Sequence, residues 1–488
     1  MEASQKPLKL NMKRTMLIGF AFFGILLLWQ VYDSWCPTFL QELFRNATYP
    51  GYATMSEAEQ AMATKQVQYL VGVMMAIDNV AALILIPIFG RISDKTHSRI
   101  GKRMPYILFG TFVCAVAFPF IPVLFYNNSL VGVIVMMAVV VLFAMMYRNP
   151  AVALMPDITP KPLRSKANGI INIMGYIGGA FATVVGIVFS LSAYLGTTVN
   201  KDGTPKAHTW AYHNIWAIEA PFLVASVLML ASAIVLFITI KENKIADEMK
   251  DEMARGELEA EVVDAVKEDQ PMTKGNRNML IIILASEFFW FMADNGIGTF
   301  LVNYTINFLK TDTSYAMVNT IIGGVGSVLG FAFGGIIASK IGRKWTVFSG
   351  LALTVLGYVL WALLTFAIPG LGGSGTFPIW LYGVWFLKGL GMSLVHVNSF
   401  PMVVELCPNS KIGQFTGYYY ASSMAAQTIT PVALGALLFI PSFGWEFVPV
   451  YGLACVTISL INFLFIKNVK SNKTKFSKGL EGIGEADD

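Results

Sequence analysis

The chain has 488 residues, 55% of them hydrophobic and only 13% charged, with a formal net charge of +5. A water-soluble domain needs about 25% charged residues to cover its surface, so these proportions exclude a soluble globule. The apolar residues also fall in blocks, and ~20 of them suffice for one bilayer-spanning helix. In chain order there are twelve, at 16–41, 67–90, 105–126, 130–155, 168–194, 215–240, 278–303, 316–339, 345–368, 377–404, 413–439 and 445–467. Their length and their Leu, Ile, Val, Phe and Gly content predict helices, not barrel strands of ~10 residues. The expected fold is an all-α membrane protein of twelve transmembrane helices in two six-helix bundles. The N-terminus has no short apolar core followed by a small-residue cleavage site, so no cleaved signal is expected.

Lysine and arginine set the orientation. With both termini cytoplasmic, 28 of the 35 bases fall in inner segments and five in outer loops, namely Arg45, Lys65, Lys201, Lys206 and Lys310. Arg148 and Lys388 remain inside spans. The net positive charge thus reports orientation in a membrane, not nucleic-acid binding. The four cysteines, Cys36, Cys114, Cys407 and Cys455, stand singly in apolar spans and read as small buried hydrophobes, without metal-ligand spacing.

One polar stretch, 241–277, separates six blocks from six and reads as a partly helical cytoplasmic connector. The predicted organisation is an N-terminal bundle (1–240), this connector, a C-terminal bundle (278–467) and a cytoplasmic tail (468–488). The halves repeat one another. The first block contains WQVYDSWCPTFL from Trp29 and the seventh WFMADNGIGTFL from Trp290. Trp, Asp and Thr-Phe-Leu recur at one spacing, as Trp29, Asp33 and Thr38-Phe39-Leu40, then as Trp290, Asp294 and Thr299-Phe300-Leu301. The segment after the second block, GRISDKTHSRIGKR (Gly90–Arg103), is matched after the eighth by GGIIASKIGRK (Gly334–Lys344). NPAVALMPD (Asn149–Asp157) is matched by NSFPMVVELCP (Asn398–Pro408). Internal repeats around a midplane site are a signature of secondary transporters.

The glycine, aspartate and Gly-Lys-Arg of the second-block segment resemble the signature of the major facilitator superfamily. The longer run Pro87-Ile-Phe-Gly90-Arg-Ile-Ser-Asp94 through Ser98-Arg99-Ile-Gly101-Lys-Arg103-Met-Pro105-Tyr106-Ile107 is similar to the glycoside–pentoside–hexuronide cation symporters, especially their sucrose-transporter branch. Pro37-Thr-Phe-Leu-Gln41 and the run Pro150, Ala153-Leu154 and Asp157 resemble further motifs of that branch. The resemblance implies the twelve-helix fold of that superfamily and cation-coupled sugar transport. The chain departs from it at Val152, where the branch has arginine; Arg148 stands one turn earlier. Melibiose-type members carry two aspartates one turn apart in their second helix, whereas Asp78 is followed at that spacing by Ala82. The eleventh helix also lacks the lysine they use.

Ionisable groups in apolar spans are costly and usually face a bundle interior or a watery pathway. Asp33 shares a helical stripe with Trp29, Gln30 and Pro37, and Asp294 shares one with Glu287 and Trp290. An aromatic ring suits the C–H face of a sugar, while carboxylate, amide and guanidinium groups suit its hydroxyls. Trp29, Gln30, Asp33, Asn79, Arg148, Trp290, Asp294 and Asn295 are the candidate substrate contacts. The plainer alternative is a set of structural ion pairs, such as Arg148 with Asp78. Four buried acids against two buried bases argue for coupling instead, because burial and nearby cations tune when a carboxylate takes up a proton. Asp78, Asp33 and Asp294 are the candidate proton carriers. A proton is preferred to sodium, since a lone Asp78 with Asn79 is a poor start for a cage of oxygen ligands. Gly90, Asp94, Arg99, Gly101 and Arg103 are read as a cytoplasmic gate, with Asp94 pairing with the bases to close the inner face. His396 is expected to be a satisfied core histidine.

No GxxxxGK[ST] sequence occurs, so ATP-driven pumping has no support, and no nucleophile–base or metal motif points to an enzyme. The expected function is proton-coupled symport of a di- or oligosaccharide by alternating access, in a cell membrane. The sugar and the bilayer are its partners, with no nucleic acid, no cofactor, and a functional monomer. The rivals are an exporter or carrier of another polar solute, and a non-transporting sugar sensor on the same fold.

Overall fold

Long apolar blocks leave backbone groups no water to bond, so each must satisfy its own ladder, and helices do so within one segment. The computed structural model describes residues 8–197, 210–265, 273–406 and 412–466, and every regular element among them is helical. The first half contains α1 (Met12–Thr48), α2 (Glu57–Gln66), α3 (Gln68–Lys95), α4 (Met104–Ala117), α5 (Phe120–Tyr126), α6 (Leu130–Asp157), α7 (Arg164–Val188), α8 (Leu191–Leu195) and α9 (Ile215–Thr239). Then come α10 (Glu242–Glu248) and α11 (Lys250–Ala265). The second half contains α12 (Lys274–Asn307), α13 (Ser314–Ile341), α14 (Arg343–Ala367), α15 (Trp380–Leu406), α16 (Ile412–Phe439) and α17 (Val448–Leu464). Eleven described stretches are long and apolar enough to cross a membrane, and α15, of 27 residues, packs beside α13 and α14. The expected tail, 468–488, lies outside the described residues.

Where elements differ from the apolar blocks, local chemistry explains it. The third block is divided into α4 and α5 at Pro119, which has no N–H to continue the ladder. The second block runs on to Lys95, so Gly90, Arg91 and Asp94 are helical, not part of a loop. The polar stretch between the first two blocks holds α2, started by a reciprocal capping box of Ser56 and Glu59.

Each half is tied by an aromatic cluster. Phe39 of α1 stacks on Phe125 of α5 at 4.1 Å, and Phe118 lies 4.6 Å from Phe222 of α9. In the second half Trp361 of α14 lies 5.4 Å from Tyr304 of α12 and 5.0 Å from Trp385 of α15. Such pairs contribute about 0.5–1.5 kcal/mol each beyond their buried area.

The halves meet where α3 packs on α16, α7 on α13 and α1 on α12. Gly72 of α3 lies against the Pro431 carbonyl, and Gly435 of α16 against the Gln68 carbonyl, so a side chain at either glycine would strike backbone. Beside this crossing lies a buried lattice of neutral groups at the end that the Lys and Arg distribution places outside. The Thr38 hydroxyl donates to Asn303 Oδ1 at 2.7 Å, Asn303 Nδ2 to Gln68 Oε1 at 3.1 Å, and Gln68 Nε2 to Gln41 Oε1 at 2.7 Å. Asn307 Nδ2 donates to the same Gln41 oxygen at 2.7 Å. Ser190 bonds Asp312, the Thr313 N–H bonds Ser192, and Lys65 bonds the Pro441 carbonyl at 2.8 Å, all across the halves. The molecule is therefore closed at this outer end.

Removing a buried hydrogen-bond partner costs about 1–3 kcal/mol. Asn303→Leu orphans Thr38 and the Gln68 carbonyl, so it should raise the outward-open fraction by roughly tenfold or more, at ~1.4 kcal/mol per factor of ten. Spin-label distances between the outer ends of α1 and α12 will measure it; an unaltered distribution would show that the lattice does not hold the seal.

Candidate functional site

A carboxylate at mid-span must find a cation, a donor or water. The acids of the first half find different answers. Asp33 is exposed at mid-length in α1, a helix enclosed by α3, α6, α7, α9 and α12, so it looks into the space between the halves. Among the described residues it has no ion pair and accepts no hydrogen bond. Trp29, one turn away, is half-buried and meets Tyr32 edge-on at 5.5 Å. Gln30 is also half-buried, its amide 3.2 Å from the Ser34 hydroxyl. Asp78 of α3 accepts the Tyr32 phenol at 2.6 Å.

One expected contact is engaged with backbone, and one expected pair does not form. Asn79 Nδ2 donates to the Gln427 carbonyl at 3.2 Å and to the Met75 carbonyl at 3.4 Å, so its amide nitrogen joins α3 to α16. Arg148 of α6 does not pair with Asp78. Among the described residues its guanidinium has no ion pair and no hydrogen bond. It therefore stands as a free cation among the described residues, while Asn149 beside it bonds the Ile86 carbonyl at 2.8 Å.

The second half gathers Lys388 and His396 around Asp294. Lys388 Nζ of α15 lies 2.7 Å from Asp294 Oδ1 and 3.3 Å from the Asp294 carbonyl. His396 Nε2 of the same helix lies 3.8 Å from Asp294 Oδ2, and Phe291 flanks that ring at 5.2 Å. The lysine also lies over Trp385, 5.2 Å from its centroid. His396 thus lies beside the ion pair and is not an isolated core residue. The repeat does not extend to the rings: Trp290 is fully buried against Phe463 of α17 at 6.0 Å, which withdraws it from the opening. Asn295 is half-buried, and its carbonyl accepts the Thr299 hydroxyl at 3.3 Å.

The gate candidates bind within their own half. Arg103, at the start of α4, pairs with Asp94 of α3 and with Asp157 of α6, the latter at 2.7 Å, and donates to Ser93 at 2.5 Å. Burial disfavours its charge, yet the two carboxylates outweigh it and hold the guanidinium above its ordinary pKa. Lys102 pairs with Asp157 at 3.1 Å. The connector adds Glu242, whose carboxylate accepts the backbone N–H groups of Lys102 (2.9 Å), Arg103 (3.1 Å) and Met104 (3.1 Å). It thereby caps α4, where an anion is favoured by the helix dipole. Asn243 holds the Arg99 and Ser98 carbonyls. Gly101 has φ +119°, and a side chain there would strike Glu242. Gly90 lets α3 approach Asn149. In this outer-closed state the cluster is a brace knitting α3, α4, α6 and the connector, and among the described residues its ion pairs lie within the first half. An open cleft of about 580 Å³ lies over this brace, remote from Asp294 and its partners.

Sequence reasoning missed Tyr32 as the partner of Asp78 and, reading Lys388 as a base that neutralises an acid, did not name the acid. The available signal was a lysine and a histidine about two helical turns apart in one apolar block, which an unpaired Asp294 required.

Residues 19–371 and 283–483 match the family model described as Major Facilitator Superfamily. The chain is 22% identical over 361 residues to the lactose permease of Lactobacillus helveticus, a match that covers 72% of this chain and 50% of that protein. It spans about half the length of that curated relative. Among solved structures, the inward-open xylose transporter XylE from E. coli superposes with a TM-score of 0.61 at 15% identity, over 97% of this chain and 99% of that one. A bacterial homologue of the iron transporter ferroportin gives 0.61 at 14% identity, over 94% and 99%. A POT family transporter in complex with a peptide conjugate gives 0.61 at 13% identity, over 93% and 96%. Neighbours named for a sugar, iron and a peptide agree in fold alone.

Two outcomes follow from this geometry. Removing one partner of a buried ion pair costs about 3–5 kcal/mol, so Lys388→Ala should lower thermal stability sharply, and Asp294→Asn added to it should recover most of the loss. Failure of the double variant to recover would show that the pair is not a closed unit. Glu242→Ala leaves three N–H groups uncapped and should cost about 0.5–2 kcal/mol; an unchanged melting temperature in detergent would remove the brace from this account.

Proposed function

The chain belongs to the Major Facilitator Superfamily, and from that membership we propose that it carries a sugar across the membrane together with a proton. That it is a multi-pass membrane transporter follows from the family and from its apolar helices. The observation that carries the sugar reading is Asp33: an exposed, unpartnered carboxylate one turn from a half-buried Trp29, in the space between the halves. A carboxylate with free lone pairs accepts two hydroxyl protons side by side, and an indole covers the C–H face of a pyranose. The half-buried Gln30 and the free guanidinium of Arg148 add a donor each. The relative named lactose permease supports the same substrate class.

The proton reading rests on the acids. Asp33 of α1 and Asp78 of α3 lie on helices that pack together, and among the described residues neither has a cation. A proton offsets the cost of such a carboxylate where no cation does. A sugar that binds only the protonated form is then drawn inward by the proton gradient, to which the membrane potential adds ~2.3 kcal/mol per charge per 100 mV. Asp294, held by Lys388 at 2.7 Å, has its charge already balanced. The cell membrane and cytoplasmic termini complete the proposal, on the strength of the Lys and Arg distribution.

Counterflow of labelled lactose, sucrose and xylose in proteoliposomes tests carriage; no exchange of any sugar would sink the sugar reading. With the sugar that exchanges, Asp33→Asn or Asp78→Asn should abolish uphill uptake under a pH gradient yet keep exchange, because Asn mimics the protonated acid. Uphill uptake driven by sodium at fixed pH, and indifferent to a pH gradient, would refute proton coupling.

A further inference from the structure

Glu287 of α12 lies on the stripe of Asp294, away from the ion pair that Asp294 makes. It lies seven residues before Asp294, two helical turns toward the inner end. Its side chain has no solvent exposure, and neither carboxyl oxygen has a hydrogen-bond partner. The surroundings offer no compensation. From α15, Lys388 and His396 are both turned to Asp294. α1 brings Asp33 at mid-length, and its other charged groups, Lys13, Arg14, Glu42 and Arg45, stand toward its two ends. Among described residues α16 presents only the phenols of Tyr418, Tyr419 and Tyr420, and α17 only Tyr451 and Cys455; the charged residue of α13 is Lys340, at its far end. Among the described residues none of these groups pairs with Glu287.

A bare carboxylate with no donor in such a place costs several kcal/mol, whereas a carboxylic acid is only an unsatisfied polar group. The helix around it is clamped. The Ser422 hydroxyl of α16 bonds the Leu284 carbonyl at 2.8 Å, and Trp290 packs on Phe463 of α17. The same helix carries Asn303 and Asn307 into the outer lattice. Opening that lattice parts α12 from α1 and α3, and Glu287, without solvent exposure while it is closed, gains water only when α12 shifts from its neighbours.

We propose that Glu287 is a proton-binding site, filled and emptied only when α12 moves, and that it holds a proton in this outer-closed state. On filling, a hydronium ion gives its proton to one carboxylate oxygen and leaves as water; on emptying, the O–H bond breaks and water takes the proton back. The role in transport rests on the symport reading above; the protonation itself does not.

Infrared difference spectroscopy of the purified full-length protein, stepped in pH, reads protonated carboxyl groups through their carbonyl band. Wild type should show a band that Glu287→Gln removes and Glu287→Asp shifts, with all three proteins monodisperse. A band unchanged in both variants would overturn the proton site. In proteoliposomes, for whichever of lactose, sucrose or xylose the wild type accumulates, Glu287→Gln should lose at least tenfold in uphill accumulation while retaining counterflow. Loss of the band together with sodium-driven wild-type uptake would overturn the symport reading and leave the proton site standing; uphill uptake intact in Glu287→Gln would overturn its transport role.

Discussion

The cost of placing charge in an apolar bundle governs this molecule. A cation, a donor, water or a proton each offsets that cost, and Asp33, Asp78, Asp294 and Glu287 divide among these solutions. Asp294 has Lys388 at 2.7 Å. Asp78 has the Tyr32 phenol at 2.6 Å. Asp33 looks into the space between the halves, and Glu287 has nothing. The ordering matters for mechanism, because a group whose charge is already balanced has little reason to exchange a proton during a cycle, whereas a group without a partner has every reason.

The interactions at the two ends follow the same economy of charge. The outer seal between halves is built largely from neutral amides and hydroxyls: Thr38, Gln41, Gln68, Asn303 and Asn307. Each such bond is worth about 1 kcal/mol net, small enough to break and re-form. The inner brace is ionic and lies within one half, through Arg103, Asp94, Asp157 and Glu242. Paired charges there keep α3, α4 and α6 in fixed relation. A rigid half and a soft interface are what rocking of one bundle against another requires.

Much of the architecture was legible because the bilayer sets helix length and leaves a long apolar record for each span. Both intramembrane bases, and the repeated Asp33 and Asp294, stood out for the same reason. What could not be read was pairing. Nothing in the local sequence of Arg148 says that it faces no acid, or in that of Trp290 that Phe463 covers its ring. Those are facts of rotation about helix axes, and a repeat in sequence does not fix them. Glu242 escaped notice because it looks like one more acid in a polar connector, although its partners are the three N–H groups at the start of α4. Its value comes from a chain fold-back that periodicity does not encode.

The broken symmetry between α1 and α12 is therefore informative. The two helices derive from one pattern, yet Asp33 stays free and Asp294 is neutralised within its half. Thr38 bonds across the halves to Asn303, while its counterpart Thr299 bonds back to its own helix. A pair of identical helices would place like charges face to face across the opening and repel at the closed end. Giving α12 its own cation removes that repulsion and leaves one unpaired acid facing the opening from α1, with a free Arg148 elsewhere in the first half. The duplicated element has in this way divided its work: α1 presents the polar face to the opening, and α12 carries the balanced charge, the outer lattice and the buried acid on one rigid rod.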